Sequence, residues 1–290
     1  MTTTPTPTST PPKMRRGASG YSDFVLATYD SWVVSFNMTY AWRAPAQTVL
    51  LPLFESAFSS SRRHLDIGVA TGYFPSVALA RKLKKEDQYQ TQTQNEVQEI
   101  TLMDLNPGAL RVAQARILRD NAEAAAAGRV VVNTVVGDAL GPVPAGLLSP
   151  PSPSSSHDEE EEETKKTKKN KKFESISMFN LIHCLPTPTR DKTKLFRLAA
   201  EVLDEDRGVL VGDTVLGYRY MGWWNPVAWW QLVAFNLIGI FSNWYDEPAV
   251  LEEGLRREFD EVETWVVGST FMFRARKPKQ QQQPPPRRGD

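Results

Sequence analysis

Apolar positions along this chain follow two spacings in turn, one that suits strands and one that suits helices. From Tyr21 to Phe58 (YSDFVLATYDSWVVSFNMTYAWRAPAQTVLLPLFESAF) aromatic and aliphatic residues recur every three to four positions, which predicts helices packed on a core. Pro45 and Pro52 mark breaks or first helical turns there. RRHLDIGVATGYFPSVALARKL then reads as strand, tight turn and helix. The strand ends over His64 to Ile67, the turn is Gly68 to Gly72, and Pro75 fits a first helical turn. KKEDQYQTQTQNEVQ has almost no apolar residues and reads as an insertion or a frayed helix end. EITLMDLNPGALRVAQARIL repeats the unit, with a strand over Glu99 to Met103 and a helix from Pro107 onward. VVVNTVVGDAL, FESISMFNLIHCL and RGVLVGDTVLG read as the third, fourth and fifth strands. DKTKLFRLAAEVL and EPAVLEEGLRREF read as amphipathic helices, and VETWVVG with STFMFRARK as a closing hairpin-like pair. Strand–helix alternation of this kind predicts an α/β fold, a doubly wound, seven-stranded, mostly parallel sheet with helices on both faces. Ligands bind such sheets at the carboxyl ends of the strands, near the switch in strand order.

Residues 1–20 (MTTTPTPTSTPPKMRRGASG) are rich in Thr and Pro, contain no apolar run of the secretory kind, and read as a disordered tail. Residues 278–290 read likewise, and residues 21–277 as one domain. That domain carries a low-complexity insertion over residues 149–172, where Asp158 to Glu163 are all acidic and lysines follow as far as Lys172. Such charge blocks cannot form a core. The longest apolar run, Val227 to Phe241, is 15 residues and includes Gln231 and Asn236. A membrane span needs about 20 residues, so the run reads as a buried or lid helix, with no stable membrane insertion, and a cytoplasmic protein is expected.

Composition narrows the chemistry. With 290 residues and 41% hydrophobic residues the chain can bury a full core, and its 34 basic and 34 acidic residues give no sign of a nucleic-acid partner. The lone cysteine, Cys184, rules out an internal disulfide and a Cys-rich zinc site. His64, His157 and His183 are too scattered to suggest a metal site.

The pivotal motif is DIGVATG, Asp66 to Gly72. Glycines between a strand and a helix N-terminus let backbone approach a ligand closely. Neither GxGxxG nor GxxxxGK[ST] is present, so dinucleotide and P-loop readings are disfavoured. A carboxylate just before the first glycine suits a ligand with a cationic amino-acid end better than a pyrophosphate. Asp104, in LMDLNP, can accept both hydroxyls of a ribose or simply cap the following helix. Asp138 and Ala139 close the third strand, where an adenine edge would be met.

These features resemble the class I S-adenosylmethionine-dependent methyltransferases, whose Rossmann-like fold carries an acidic residue and GxGxG after the first strand. Ala70 stands where that pattern has its middle glycine. The resemblance implies S-adenosylmethionine as cofactor and S-adenosylhomocysteine as product. It implies that Asp66 serves the methionyl amine, that Gly68, Ala70 and Gly72 shape the methionine and ribose cradle, and that Asp104 holds the ribose beside Leu105. It further implies that Asp138 and Ala139 face adenine and that Asn180 and Leu181 line the cofactor. A narrower likeness, to bacterial and fungal type 12-like methyltransferases of small-molecule biosynthesis, rests on YDSWVVSFNMTYAWRAP, HLDIGVATGYF, LMDLNP, NLIHCLP, RDKTKLF and GDTVLG.

An acceptor group must lose a proton, and His183, just after the fourth strand, is the imidazole placed to take it. A structural or substrate-contacting role is the alternative. His64 lies before the first strand, away from the ligand edge. Residues 221–244 hold Trp223, Trp224, Trp229, Trp230 and Trp244 and are expected to roof a small, largely apolar or aromatic acceptor. In that reading Asn225, Gln231, Asn236 and Asn243 orient the acceptor. Tyr29, Tyr40, Trp42, Trp229 and Trp230 are the candidate substrate contacts, with Arg43 beside them. Core packing or a homodimer contact is the alternative for the tryptophans. An isomerase or cyclase on the same fold and a non-catalytic binding protein are the competing functions.

Replacing residues 149–172 by a short Gly/Ser linker is expected to leave the melting temperature nearly unchanged. A large loss in a thermal unfolding measurement would show that the tract packs.

Overall fold

Runs of Val, Ile and Leu covered on both faces belong in a parallel sheet. In the computed structural model, which describes residues 30–89, 96–148 and 172–279, they form one seven-stranded sheet. Residues 1–29, with Tyr21 and Tyr29, residues 90–95, residues 149–171, with His157, and residues 280–290 lie outside the described residues. Pro278 and Lys279, expected in the second tail, belong to the fold: Pro278 ends the last strand, and Lys279 N donates to Glu258 O at 2.8 Å. The strands are β1 (Arg63–Ile67), β2 (Gln98–Asp104), β3 (Val130–Val136), β4 (Ser175–Met178), β5 (Val209–Val215), β6 (Phe259–Val267) and β7 (Thr270–Pro278). Their order is β3-β2-β1-β4-β5-β7-β6. The first five are parallel, and β7 runs antiparallel to both β5 and β6. The closing hairpin therefore folds its second strand inward against β5. Strand order reverses between β1 and β4, so the cleft outside their carboxyl ends is where a ligand enters such a fold.

The helices are α1 (Asp30–Ala41), α2 (Leu51–Phe58), α3 (Tyr73–Tyr89), α4 (Pro107–Asp120), α5 (Ala122–Ala126), α6 (Ala145–Leu148), α7 (Thr189–Lys192), α8 (Lys194–Val202), α9 (Pro226–Leu237) and α10 (Pro248–Glu258). Pro45 precedes a wide turn, Ala46–Leu50, that leads into α2, and Pro52 lies in the first turn of α2. Helix α1 is wound more widely than an α-helix, and just past it Trp42 N donates to Asn37 O at 2.9 Å, skipping the usual i−4 acceptor. One buried cluster, with Phe54, Phe58, Leu79, Leu102 and Ile117, lies under α2, α3 and α4. The other, with Leu65, Ile67, Phe196, Leu251 and Phe273, lies under α8 and α10.

DKTKLFRLAAEVL forms two helices where one was expected. The break falls at Thr193 (ψ −13°), whose hydroxyl donates back to Arg190 O at 2.7 Å. Side-chain bonding to the preceding turn bends a helix in this way. Beside the break, Lys192 turns inward and is fully buried, with Nζ 2.5 Å from Asp246 Oδ2 and 2.8 Å from Ser242 O. Thr189 Oγ1 supplies Asp246 with a further donor at 2.7 Å. Lys172 ends the expected insertion but belongs to the sheet's amino edge: its Nζ pairs with Glu205 at 2.8 Å and its carbonyl accepts from Arg63 at 3.1 Å. Helix α9 covers only part of the Val227–Phe241 run, and among the described residues no helix is long and apolar enough to cross a membrane.

Removing one partner of a buried ion pair strands the other charge in apolar surroundings. Lys192→Met is expected to cost about 3–5 kcal/mol of stability, and the double change Lys192→Met with Asp246→Leu should recover most of it. Denaturant unfolding of the two variants checks this; equal losses in both would show that the pair's charge is not the source of the cost.

Candidate active site

The first strand delivers its carboxylate to the cleft directly. Asp66, one residue before the end of β1, is buried, and with Gly68, Val69, Ala70, Thr71, Tyr73, Phe74, Phe179, Asn180 and Val34 it lines a pocket at the carboxyl edge. Burial pushes its carboxyl up to about 7, against the pull of the Ser177 hydroxyl, which donates to Oδ1, while Asp104 raises it further.

The turn after β1 alternates through left-handed conformations at Gly68 (φ 78°), Ala70 (φ 45°) and Gly72 (φ 70°). A Cβ on Gly68 would lie 2.7 Å from Leu181 Cδ1, and one on Gly72 would lie 2.9 Å from the Ala113 backbone. The glycines thus make room for protein neighbours, where the sequence suggested room for a ligand. Ala70 adopts its left-handed conformation at the strain expected of a residue with a Cβ.

Asp104 is half-buried at the end of β2. Burial raises its carboxyl to about 6, against the amide groups of Asn106, Leu105, Val69 and Ala70. The helix-cap alternative passes to Asn106, whose side chain accepts from Gly108 N at 2.8 Å, while Asp104 Oδ1 accepts from Asn106 N at 2.8 Å. The second acid therefore braces the glycine turn. Leu105 beside it is half-buried.

Asp138 and Ala139 lie past the end of β3, which stops at Val136, rather than closing it. Asp138 Oδ1 accepts from Leu140 N at 3.0 Å, and Ala139 packs into the cluster on the opposite face with Leu65 and Met103. Asn180 is buried and left-handed (φ 54°), and its N–H donates to Asp213 Oδ1 at 3.0 Å. The structure thus gathers Asp66, Gly68, Ala70 and Asn180 around one cleft, with Leu181 packed beneath Gly68, and sets Asp138 and Ala139 apart from that lining.

His183 is buried in the turn Ile182–Cys184. Its Nδ1 accepts the Val215 N–H at 3.3 Å and lies 3.3 Å from Thr214 Oγ1, and its ring meets Phe241 edge-on at 4.4 Å. Burial, with Lys192 adding to it, lowers the imidazole to about 3. An Nδ1 that accepts leaves the ring proton on Nε2, so no lone pair remains for an acceptor's proton. This geometry runs against the expected base.

No protein-family model matches the chain. Individual relatives do. The chain is 37% identical over 265 residues to O-methyltransferase NEC2 of Pyricularia oryzae, covering 90% of this chain and 92% of that one. It is 34% identical over 264 residues to a Physcion biosynthesis cluster O-methyltransferase of Aspergillus chevalieri, covering 91% and 96%. The chain belongs to the class I S-adenosylmethionine-dependent methyltransferases, with the small-molecule O-methyltransferases. Among solved structures, the N-methyltransferase NodS of Bradyrhizobium japonicum WM9, in complex with S-adenosylhomocysteine, matches the fold with a TM-score of 0.51 at 15% identity, over 91% of this chain and 100% of that one. An O-methyltransferase family protein of Burkholderia thailandensis matches at 0.51 and 13%, over 89% and 61%.

In this methyltransferase the segment from Met221 to Trp244 is fastened to α1 and to the end of β5. Asn225 caps α9, accepting from Ala228 N at 3.1 Å, and donates to Ala41 O at 2.8 Å. Gln231 Nε2 donates to Asn37 Oδ1 at 2.7 Å, and Asn243 Nδ2 donates to Val215 O at 3.0 Å and is joined by Asn236. These amides hold the segment to the protein, so the expectation that they orient an acceptor is corrected. Gln231 Oε1 alone among them is buried without a hydrogen-bond partner. Trp42 is fully buried against Phe241, and Trp229 is half-buried on the same cluster. Trp230 and Tyr40 are more than 60% exposed, and Arg43 stacks on Trp224 at 3.8 Å.

The sequence reading passed over His64, Ser175, Ser177 and Asp213 in this methyltransferase. His64, expected before the first strand, lies within β1 on the same face as Asp66, and it stays outside the cleft lining. The serines of SISM recur at every second position, which places them on one face of β4. Asp213 is an acid inside the apolar run of β5, fully buried, with Oδ2 unpartnered and its carboxyl raised to about 7 by burial. Among the described residues no cluster of His, Cys, Asp and Glu could hold a metal ion.

A folded carboxyl raised from 3.8 to about 7 keeps a proton that the unfolded chain has released, so its ionisation costs stability as pH climbs from 3.8 to about 7. Asp213→Asn removes that loss while keeping an acceptor for Asn180 N–H. Its melting temperature is expected to exceed the parent's above the folded pKa and to match it below the ordinary carboxyl range; equal values in alkaline buffer would contradict the burial of an unpaired charge.

Proposed function

We propose that this methyltransferase moves a methyl group from S-adenosylmethionine to an oxygen of a small, largely apolar or aromatic acceptor of secondary metabolism. The observation that carries the reading is a carboxylate-floored, aromatic-walled cleft at the switch point of a chain that aligns with O-methyltransferases over 90% of its length. The donor set suits the cofactor: Asp66 for the methionyl ammonium, the Gly68–Ala70–Gly72 turn for the methionine and ribose, and Asp104 with Leu105 for the ribose. Asp138 and Ala139 are assigned to the adenine edge, and Asn180 and Leu181 to the cofactor at the end of β4. Phe74 and Phe179 give a cationic centre aromatic surface.

When bound, the cofactor supplies an already activated methyl, so the protein's task is alignment and exclusion of water. In our reading α1 and residues 221–244 form the acceptor cover within one domain of residues 21–277. Tyr29, Tyr40, Trp42, Trp229 and Trp230 remain the proposed acceptor-side aromatics, with Trp42 acting from beneath. We assign His183 to holding Phe241 of that cover. With neither described imidazole, His64 or His183, placed to take the proton, the acceptor hydroxyl is proposed to be phenolic, since phenols ionise near pH 10 and aliphatic alcohols far higher. Cys184, the single cysteine, can form no disulfide within the chain, as suits a reducing compartment, and the cytoplasm is the proposed location.

Mass analysis after incubation with S-adenosylmethionine and a panel of phenols is the test. Gain of one methyl unit supports the reading; product of unchanged mass would favour an isomerase or cyclase. Calorimetry tests the site. Asp104→Ala, folded as judged by circular dichroism, should bind S-adenosylhomocysteine about 10- to 150-fold more weakly. Unchanged affinity would confine Asp104 to bracing the turn.

A further inference from the structure

Behind Asp66, on the side away from the cleft, a chain of polar groups crosses from β1 to β4. Ser175 Oγ lies 2.7 Å from His64 Nδ1, His64 Nε2 lies 2.9 Å from Ser177 Oγ, and Ser177 Oγ contacts Asp66 Oδ1. All four side chains are buried. The imidazole is walled by Phe54 and Phe58, with ring centroids 5.1 and 5.0 Å away. A fully satisfied polar chain under an aromatic wall is a costly arrangement unless its geometry serves something.

We infer that Ser175, His64 and Ser177 are positioning residues, a relay that holds the Asp66 carboxylate ionised and aimed into the cleft and that reverses its hydrogen-bond direction when Asp66 takes up a proton. The inference rests on the reading that Asp66 receives the cofactor's ammonium. With Asp66 ionised, Ser177 must donate its one O–H to the carboxylate, so its oxygen accepts from His64 Nε2–H. Nδ1 then has no proton and accepts from Ser175 O–H. When Asp66 is protonated its own O–H donates to Ser177, Ser177 donates to Nε2, and the ring proton resides on Nδ1 and is donated to Ser175. The net change is one proton gained from solution, and the ring is neutral in both states. Burial keeps it so, lowering His64 to about 3 with a further push from Lys82.

Among the described residues the ionisable groups around Asp66 are few. His64 shares its strand, Asp104 faces it from β2 and disfavours its charge, and Asp213 on β5 stands beyond Asn180. From α3 comes Tyr73 at the rim, with the Arg116 guanidinium 5.2 Å from its ring centroid. From α3 and the end of β4, Phe74 and Phe179 share the cleft lining with Asp66, and Phe54 of α2 packs against both rings. Ser177 is therefore the side-chain donor that offsets burial and the Asp104 charge.

The test measures S-adenosylhomocysteine binding by calorimetry across neutral pH, together with ring-15N spectra of His64 in the intact chain. Bound S-adenosylhomocysteine should fix the Nε2–H tautomer of His64, and the ligand-free protein should pass to the Nδ1–H tautomer on acidification. A single tautomer in every condition would overturn the relay. Ser177→Ala should raise the pH at which binding is half-maximal by about 1–2 units and weaken it at neutral pH by about tenfold. Ser177→Thr, which keeps the hydroxyl, should restore both. A folded Ser177→Ala protein that binds like the parent at every pH would overturn the relay while leaving Asp66 in place. Asp66→Asn separates the two claims: undiminished binding there would overturn the assignment of Asp66 to the amine, and the relay with it.

Discussion

Burying a carboxylate among aromatic rings is the constraint on which the rest of this methyltransferase depends. Asp66 has Phe74 and Phe179 beside it in the cleft lining, with Phe54 packed against both rings, and its burial favours the neutral form. Such a site keeps an ion only where hydrogen-bond donors converge on it. Ser177 supplies one from β4, and the register of β1 and β4, with Asp66 opposite Ser177 and His64 opposite Ser175, sets that contact. Asp104 lies in a related compromise, raised by burial but braced by the amides of the turn it supports.

The segment from Met221 to Trp244, the proposed cover, is built on the same economy of buried polar groups. Its amides are spent on fastening: Asn225 and Gln231 tie α9 to α1, and Asn243 ties the far end to the last residues of β5. The buried Lys192–Asp246 pair anchors the segment's exit to α7. What remains on the outer side of α9 is apolar and exposed, Trp230 and Leu237 among it. A helix held by directional bonds on one face can keep its aromatic residues in place without a large apolar interface.

Much of this was legible along the chain. The strand and helix segments, the turn at Gly68 to Gly72 and the acids at Asp66 and Asp104 follow from local spacing and residue type. Where the reading missed, the reason is physical in each case. Nothing in the local spacing of Gly68 and Gly72 shows that Leu181 and Ala113 come from distant segments to pack against them. His183 looked available because it follows a strand end, yet the Val215 amide and the Phe241 ring occupy it from β5 and the cover. A single amphipathic helix was read across Thr193 because periodicity does not register a side chain bonding back to its own turn.

Local chemistry is what the amino-acid order determined by itself: which segments extend, which coil, and which turn carries an acid into a helix N-terminus. That information lies within a few residues, because strand and helix periods are properties of neighbouring side chains. Tertiary structure alone decided that β7 slips between β5 and β6, and that His64 packs between Ser175 and Ser177 behind Asp66. It also decided that two serines 111 and 113 residues from their partners complete the hydrogen bonding of Asp66 and His64. A buried polar group is satisfied by whatever donor the packed fold brings within 3 Å or so, and across so long a separation only the pairing of β1 with β4 selects that donor.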